Sequence, residues 1–159
     1  MTATSPICLT MPSPAATCAL ARALGVRLRA GDVLLMEGGI GAGKTHFARC
    51  LIQSLLPAPE DVPSPTFTLV QVYEAADFEI WHSDLYRLTD PDQVVELGLT
   101  EAFETALCLV EWPDRLADLS PQEALWIRFA DAGDSPEARA LELSWTAGDW
   151  GARLQGVAA

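Results

Sequence analysis

Eight consecutive residues carry the clearest chemistry. Gly38-Gly39-Ile40-Gly41-Ala42-Gly43-Lys44-Thr45 fit the pattern G-x-x-x-x-G-K-[ST] in full. Glycines let a chain wrap with its N–H groups pointing inward, because positive φ costs them little. A helix that starts at this point adds free N–H groups and the positive end of its dipole. In such a phosphate loop (P-loop, Walker A) the lysine reaches the β and γ phosphates of a nucleotide and the threonine hydroxyl ligates magnesium. Lys44 and Thr45 hold those two places, and Gly39, Ile40, Gly41, Ala42 and Gly43 are the candidate backbone cradle. One charge pair is worth about 4 kcal/mol at contact distance and an effective dielectric near 20. Lys44 alone therefore does not hold a triphosphate on a chain of net charge -12. Backbone N–H groups, the helix dipole and a bound Mg²⁺ must supply the rest.

A phosphate loop works with a carboxylate that holds magnesium and orients the attacking group. Its usual address is the end of a second buried strand beside the loop strand. Glu111, which closes the apolar run Ala106 to Val110, has that address and reaches one methylene further than Asp. Asp84, after the run Phe78 to Ser83, is the second candidate. A carboxylate that simply faces water is the plain alternative for both. Trp112 either walls the site or packs, and packing is the plainer reading of a lone tryptophan. His82 alternates with Ile80 and Phe78 and reads as a hydrogen-bonded core histidine rather than a base; His46, after Thr45, reads as a solvent-facing side chain. Thr66 and Thr68 lie in Ser64-Pro65-Thr66-Phe67-Thr68, after the loop helix. In nucleotide switches that segment senses the γ-phosphate, and a plain loop fits the spacing equally well.

The elements that must position these groups are legible in outline. Asp32 to Glu37 is a short apolar run between Gly31 and Gly38, which favours a buried strand leading into the loop. Phe47, Cys50, Leu51, Ser54 and Leu55 recur at helical spacing from Lys44 to Leu56, and Pro57 stops that helix. Ser13-Pro14 opens an Ala- and Leu-rich helix that Gly25 ends. After the proline-rich loop 57–65, Thr68 to Tyr73 and Phe78 to Ser83 read as a hairpin around Glu74-Ala75-Ala76-Asp77. Asp90-Pro91-Asp92-Gln93 caps a helix that Gly98 ends. Leu125 to Phe129 and Arg139 to Trp145 read as a second hairpin, followed by a short helix from about Asp149. This order predicts an α/β, P-loop NTPase-like, three-layer domain with a mixed, partly antiparallel sheet.

The totals bound the rest. The chain has 159 residues, 50% of them hydrophobic, which suits one compact domain over 1–159 and rules out a disordered or acidic-tail protein. Acidic residues number 22 against 10 basic ones, and Lys44 is the single lysine. A chain of net charge -12 with no basic run is a poor stand-alone binder of tRNA, DNA or anionic membrane. A small polyanion at a local site, or a basic partner protein, remains compatible with it. Cys8, Cys18, Cys50 and Cys108 show no metal-knuckle or redox spacing and read as buried free thiols in a reducing compartment. No signal peptide or spanning run is evident, so a cytoplasmic location is expected.

The ordered set GGIGAGKT, SPTFTLV, HSDLYRL and LVEWP resembles one family, the bacterial TsaE (formerly YjeE) proteins. The resemblance runs from about Gly31 to Pro113. A loop motif alone is widely shared; four segments in this order in so short a chain are highly specific. The resemblance implies a mixed-sheet ATPase that binds ATP and Mg²⁺ and hydrolyses slowly. It implies work with TsaD-like and TsaB-like partners in making threonylcarbamoyladenosine beside the tRNA anticodon, with tRNA engaged only indirectly. It further implies that Lys44 is the loop lysine, Thr45 and Glu111 serve the metal, and Asp84 is tied to hydrolysis. Thr66 belongs to the switch-like segment and Trp112 lies near the nucleotide. Thr17 and Arg139 are candidates for the adenine surroundings.

Two positions depart from the family pattern: Gly39 stands where Asp is usual, and His46 where a second Thr is usual. Nucleotide binding is expected to survive both, and the hydrolysis rate is the property they bear on. Two rivals stay open. A small-molecule or nucleoside kinase would need a lid of arginines, for which the region after Glu111 offers Arg115, Arg128 and Arg139, well spread and partly on expected strands. A nucleotide sensor would bind without turnover.

Overall fold

The computed structural model describes residues 6–133 and 135–157. The domain expected over 1–159 also takes in 1–5, 134 and 158–159, which lie outside the described residues. The elements run β1 (Ile7–Met11), α1 (Pro14–Gly25), β2 (Val33–Glu37), α2 (Lys44–Leu55), β3 (Val70–Glu74), β4 (Glu79–Asp84), α3 (Pro91–Glu96), α4 (Leu99–Thr105) and β5 (Leu107–Glu111). A 3₁₀ segment (Pro113–Leu119), β6 (Leu125–Asp131), β7 (Arg139–Ser144) and α5 (Trp150–Arg153) complete the chain. All seven strands share one sheet in the order β1-β7-β6-β2-β5-β4-β3. The central β6-β2-β5-β4 pairings are parallel. The outer β1-β7, β6-β7 and β3-β4 pairings are antiparallel. The expected mixed α/β sheet is therefore present.

Alternation along the strands sends side chains to two cores. Leu34 and Met36 of β2, Leu107 and Leu109 of β5 and Ile127 of β6 pack with Leu20, Leu24, Phe47 and Leu51 of α1 and α2. Val33, Leu35, Cys108 and Val110 face Val94, Leu99 and Phe103 of α3 and α4, with Leu116 of the 3₁₀ segment. Burying a side chain such as Leu109 or Val110 stabilises the fold by about 1.5–3 kcal/mol. Among the described residues no helix is long and apolar enough to cross a membrane.

Local signals place most element ends. The Ser13 hydroxyl accepts the Ala16 N–H at 3.2 Å, with Pro14 in the first turn. Asp90 and Gln93 form a reciprocal capping box. Gly98 ends the capped helix as expected. It has φ +84 and at the same place opens α4, a helix with no counterpart in the reading of the sequence. The strand β1 and the 3₁₀ segment have no counterpart in the sequence reading. Ile7–Met11 is short and lies at the sheet edge, where it pairs with β7 and rests Ile7, Leu9 and Met11 on the core.

The cysteines also correct the expectation. Cys18 and Cys50 form a disulfide between α1 and α2, their Cα atoms 5.3 Å apart. Cys8 is free but exposed; only Cys108 is a buried free thiol. A separation of 32 residues gives no hint of pairing, which arises because the two helices lie side by side. Burial pushes the Cys108 thiol up to about 12.

Candidate active site

Three parallel strands end at one place. β2 delivers the glycine loop, β5 delivers Glu111 and β4 delivers Asp84, which lies opposite Glu111 in the β4–β5 register. The carboxyl ends of adjacent parallel strands are where open α/β sheets form ligand crevices. Gly38 cannot carry a side chain, because a Cβ there would meet the Phe129 carbonyl oxygen at 2.9 Å. Gly43 caps α2 at φ 107, a conformation that favours glycine. Within the loop, the Ala42 N–H bonds the Gly39 carbonyl and the Phe47 N–H bonds that of Gly43. The N–H groups of Gly43, Lys44, Thr45 and His46 meet no protein acceptor among the described residues. They form the donor set of a helix N-terminus and suit an anionic ligand.

A cavity of about 410 Å³ opens over these groups. Ile40 to His46 line it with Thr66, Asp84, Tyr86, Glu111 and Trp112. Lys44 is only 4% exposed. Its ammonium donates to the Gly38 carbonyl at 2.5 Å and sits 3.6 Å from the Trp112 ring centroid. Burial lowers the Lys44 pKa from its ordinary value, and the nearby carboxylates of Glu111, Asp84 and Asp114 oppose that shift. Trp112 occupies left-handed backbone space at φ 59, unusual for a bulky residue, and its ring also meets Tyr86 at 4.8 Å. The tryptophan therefore both packs and walls the cavity.

The Thr45 hydroxyl lies 2.8 and 3.0 Å from the two carboxylate oxygens of Glu111. Asp84 accepts the Thr66 hydroxyl at 3.2 Å and the Tyr86 N–H at 3.0 Å. His82 is fully buried, as its alternation implied, and its Nε2 lies 2.7 Å from Glu111 Oε2. It is thus joined to the site rather than merely to the core. His46 is half-buried and lines the cavity, with Nε2 2.9 Å from the Pro14 carbonyl oxygen; it does not simply face solvent. Its place in the first turn of α2, beside the start of α1, is what draws it in.

The structure leaves four candidates off the cavity wall, one of them Thr68, whose hydroxyl accepts the Gln71 amide at 2.9 Å. Gly39 borders a neighbouring hollow with Glu37, Gly38, Trp112, Pro113 and Asp114. Thr17 is 2% exposed and its hydroxyl donates to the carbonyl of Ser13, the cap of α1, so it does not line the cavity as an adenine contact. Arg139 grips the outside of the loop, donating to Ala42 at 2.9 Å and Gly41 at 3.2 Å. It braces the cradle from behind. Tyr86 was not singled out from the sequence, although it lies within HSDLYRL beside Asp84.

A buried strand, a glycine loop, a helix N-terminus and carboxylates on adjacent strand ends define a P-loop NTPase-like α/β protein. Residues 11–141 match the model of the family described as "Threonylcarbamoyl adenosine biosynthesis protein TsaE". The chain belongs to the TsaE family. It is 41% identical over 110 residues to the tRNA threonylcarbamoyladenosine biosynthesis protein TsaE of Rickettsia conorii, covering 69% of this chain and 63% of that one. It is 37% identical over 136 residues to the Bacillus subtilis protein of the same name, covering 85% and 82%. The match spans less than two thirds of the Rickettsia conorii protein and 58% of the Rickettsia felis relative. The crystal structure of Bacillus subtilis YdiB superimposes with a TM-score of 0.80 at 26% identity, covering 99% of this chain and 96% of that one.

Proposed function

We propose that this chain is a cytoplasmic, single-domain ATPase that binds Mg·ATP. In this reading it serves, with TsaD-like and TsaB-like proteins, as an accessory component in forming threonylcarbamoyladenosine on tRNA. The observation that carries the nucleotide reading is the contact between Thr45 and Glu111 beneath a row of unpaired loop N–H groups. The residues fit the groups they would hold. The loop N–H groups and Lys44 would bind phosphate oxygens, and the Thr45 hydroxyl and Glu111 carboxylate would hold Mg²⁺.

When bound, Mg²⁺ neutralises charge on the phosphate oxygens. Asp84, oriented by Thr66 and the Tyr86 N–H, is placed to accept a hydrogen bond from a water in the cavity. Trp112 covers Lys44 and excludes water from it. The charge of -12 supports an indirect role toward tRNA, with a partner holding the nucleic acid.

The kinase rival needs arginines over the cavity. None of Arg115, Arg128 and Arg139 lines it. Arg115 bonds Asp114, Arg128 lies on β6, and Arg139 holds the loop from outside. The test is ATP turnover with Mg²⁺, alone and with TsaD-like and TsaB-like proteins. Slow turnover enhanced by the partners is expected. Phosphate transfer to an added small acceptor would overturn the reading, and binding without any turnover would favour the sensor.

A further inference from the structure

We infer that His82 is a positioning residue for the metal site, acting through Glu111; the inference rests on the reading proposed above. His82 lies on β4 two residues before Asp84, so both side chains leave the same face of the sheet. It is wholly buried, and its Nε2 lies 2.7 Å from Glu111 Oε2, itself on a residue only 2% exposed. Its other nitrogen, Nδ1, has no partner among the described residues. An imidazole with one orphaned nitrogen is a costly way to fill a core position, since a buried polar atom without a partner keeps its desolvation penalty. An apolar side chain would fill the same place without that cost. Among the described residues the His82 side chain has one polar contact, and it is with Glu111.

The effect on the carboxylate is specific. Glutamate has three side-chain torsions, and its terminal one is soft. The Thr45 hydroxyl has one proton to share between the two oxygens, so by itself it leaves the carboxylate free to turn. The imidazole N–H adds a second donor on Oε2 and defines the plane. Oε1 then keeps the greater unfilled lone-pair capacity. Outer hydrogen bonds of this kind fix a ligand's orientation, and removing one typically weakens metal affinity about 10–100-fold.

The test compares the parent with His82→Gln, His82→Asn and His82→Leu. A glutamine amide reaches the place of Nε2, whereas asparagine stops near the place of Nδ1 and leucine donates nothing. The readout is the thermal shift given by a non-hydrolysable ATP analogue, first without metal and then across a Mg²⁺ titration. In the parent, Mg²⁺ enlarges the analogue's shift. In His82→Asn and His82→Leu the Mg²⁺ concentration for half effect rises about tenfold while the metal-free shift persists. In His82→Gln it returns to within about threefold of the parent.

Mg²⁺ titrations that superimpose for parent, His82→Gln and His82→Asn would overturn the inference, even where His82→Leu does not fold. Metal-free and Mg²⁺-dependent shifts that fall together in both polar variants would also overturn it, since that is what a purely structural histidine predicts. A parent showing no Mg²⁺ effect at all would overturn the underlying site reading, and the inference with it.

Discussion

The Thr45 hydroxyl and the Glu111 carboxylate, 66 positions apart in the chain, meet at 2.8 Å across the floor of the cavity. One stands on the first turn of α2 and the other on the last residue of β5. Parallel pairing of β2 with β5 is what brings them together, because Met36 pairs with Glu111 just before the loop begins. Glu111→Ala should therefore abolish most of the Mg²⁺-dependent part of nucleotide binding and leave the metal-free part. Calorimetric titration of the analogue with and without Mg²⁺ checks this. Unchanged metal dependence would remove Glu111 from the ligand set.

Lys44→Ala should weaken nucleotide binding roughly thirtyfold, the equivalent of about 2 kcal/mol for one charged hydrogen bond. The variant also takes a buried cation away from three carboxylates and from the Trp112 ring. ATP-induced thermal stabilisation is the measurement, and a shift equal to that of the parent would contradict the loop assignment.

Arg139→Ala tests the brace behind the loop. Its guanidinium holds the Gly41 and Ala42 carbonyls, so its loss should loosen the cradle and weaken nucleotide binding about tenfold. Rescue of binding by lysine would be poor, because an ammonium cannot bridge the same carbonyls with a planar fork.

The Cys18–Cys50 bond should be visible chemically. Unfolded, unreduced protein should titrate as two free thiols, and as four after reduction. Closing a loop with a sequence separation of 32 is worth about 4 kcal/mol in chain-entropy terms, so Cys18→Ser should lower the unfolding midpoint accordingly. Four reactive thiols without reductant would refute the pairing.

Cys108 should make alkaline stability fall. Its thiol titrates at about 12 in the folded chain against 9.0 ordinarily. Between those values the unfolded state releases a proton that the native state keeps, so this contribution is intact below the lower value and is lost as pH rises through the window. Between about pH 8 and pH 10.5 the parent should lose about 2 kcal/mol more than Cys108→Ala in urea denaturation. Parallel pH profiles for the two proteins would contradict the assignment.

What the sequence by itself determined is short-range. The cradle was legible in Gly38 to Thr45 because its requirements are local: positive φ at glycines, a helix opening at Lys44, and a cation and hydroxyl at adjacent positions. The caps at Ser13 and Asp90 were legible for the same reason, each bond spanning three residues or fewer. Glu111 and Asp84 were legible as strand-end carboxylates, since a run of apolar residues marks a buried strand wherever it pairs. Tertiary structure alone decided who meets whom. The strand order put His82 on Glu111, the packing of α1 on α2 joined Cys18 to Cys50, and the β6–β7 hairpin carried Arg139 behind the loop. Those contacts cross tens of residues. They depend on which strands neighbour one another and in what register, and no local preference of a histidine, cysteine or arginine encodes that.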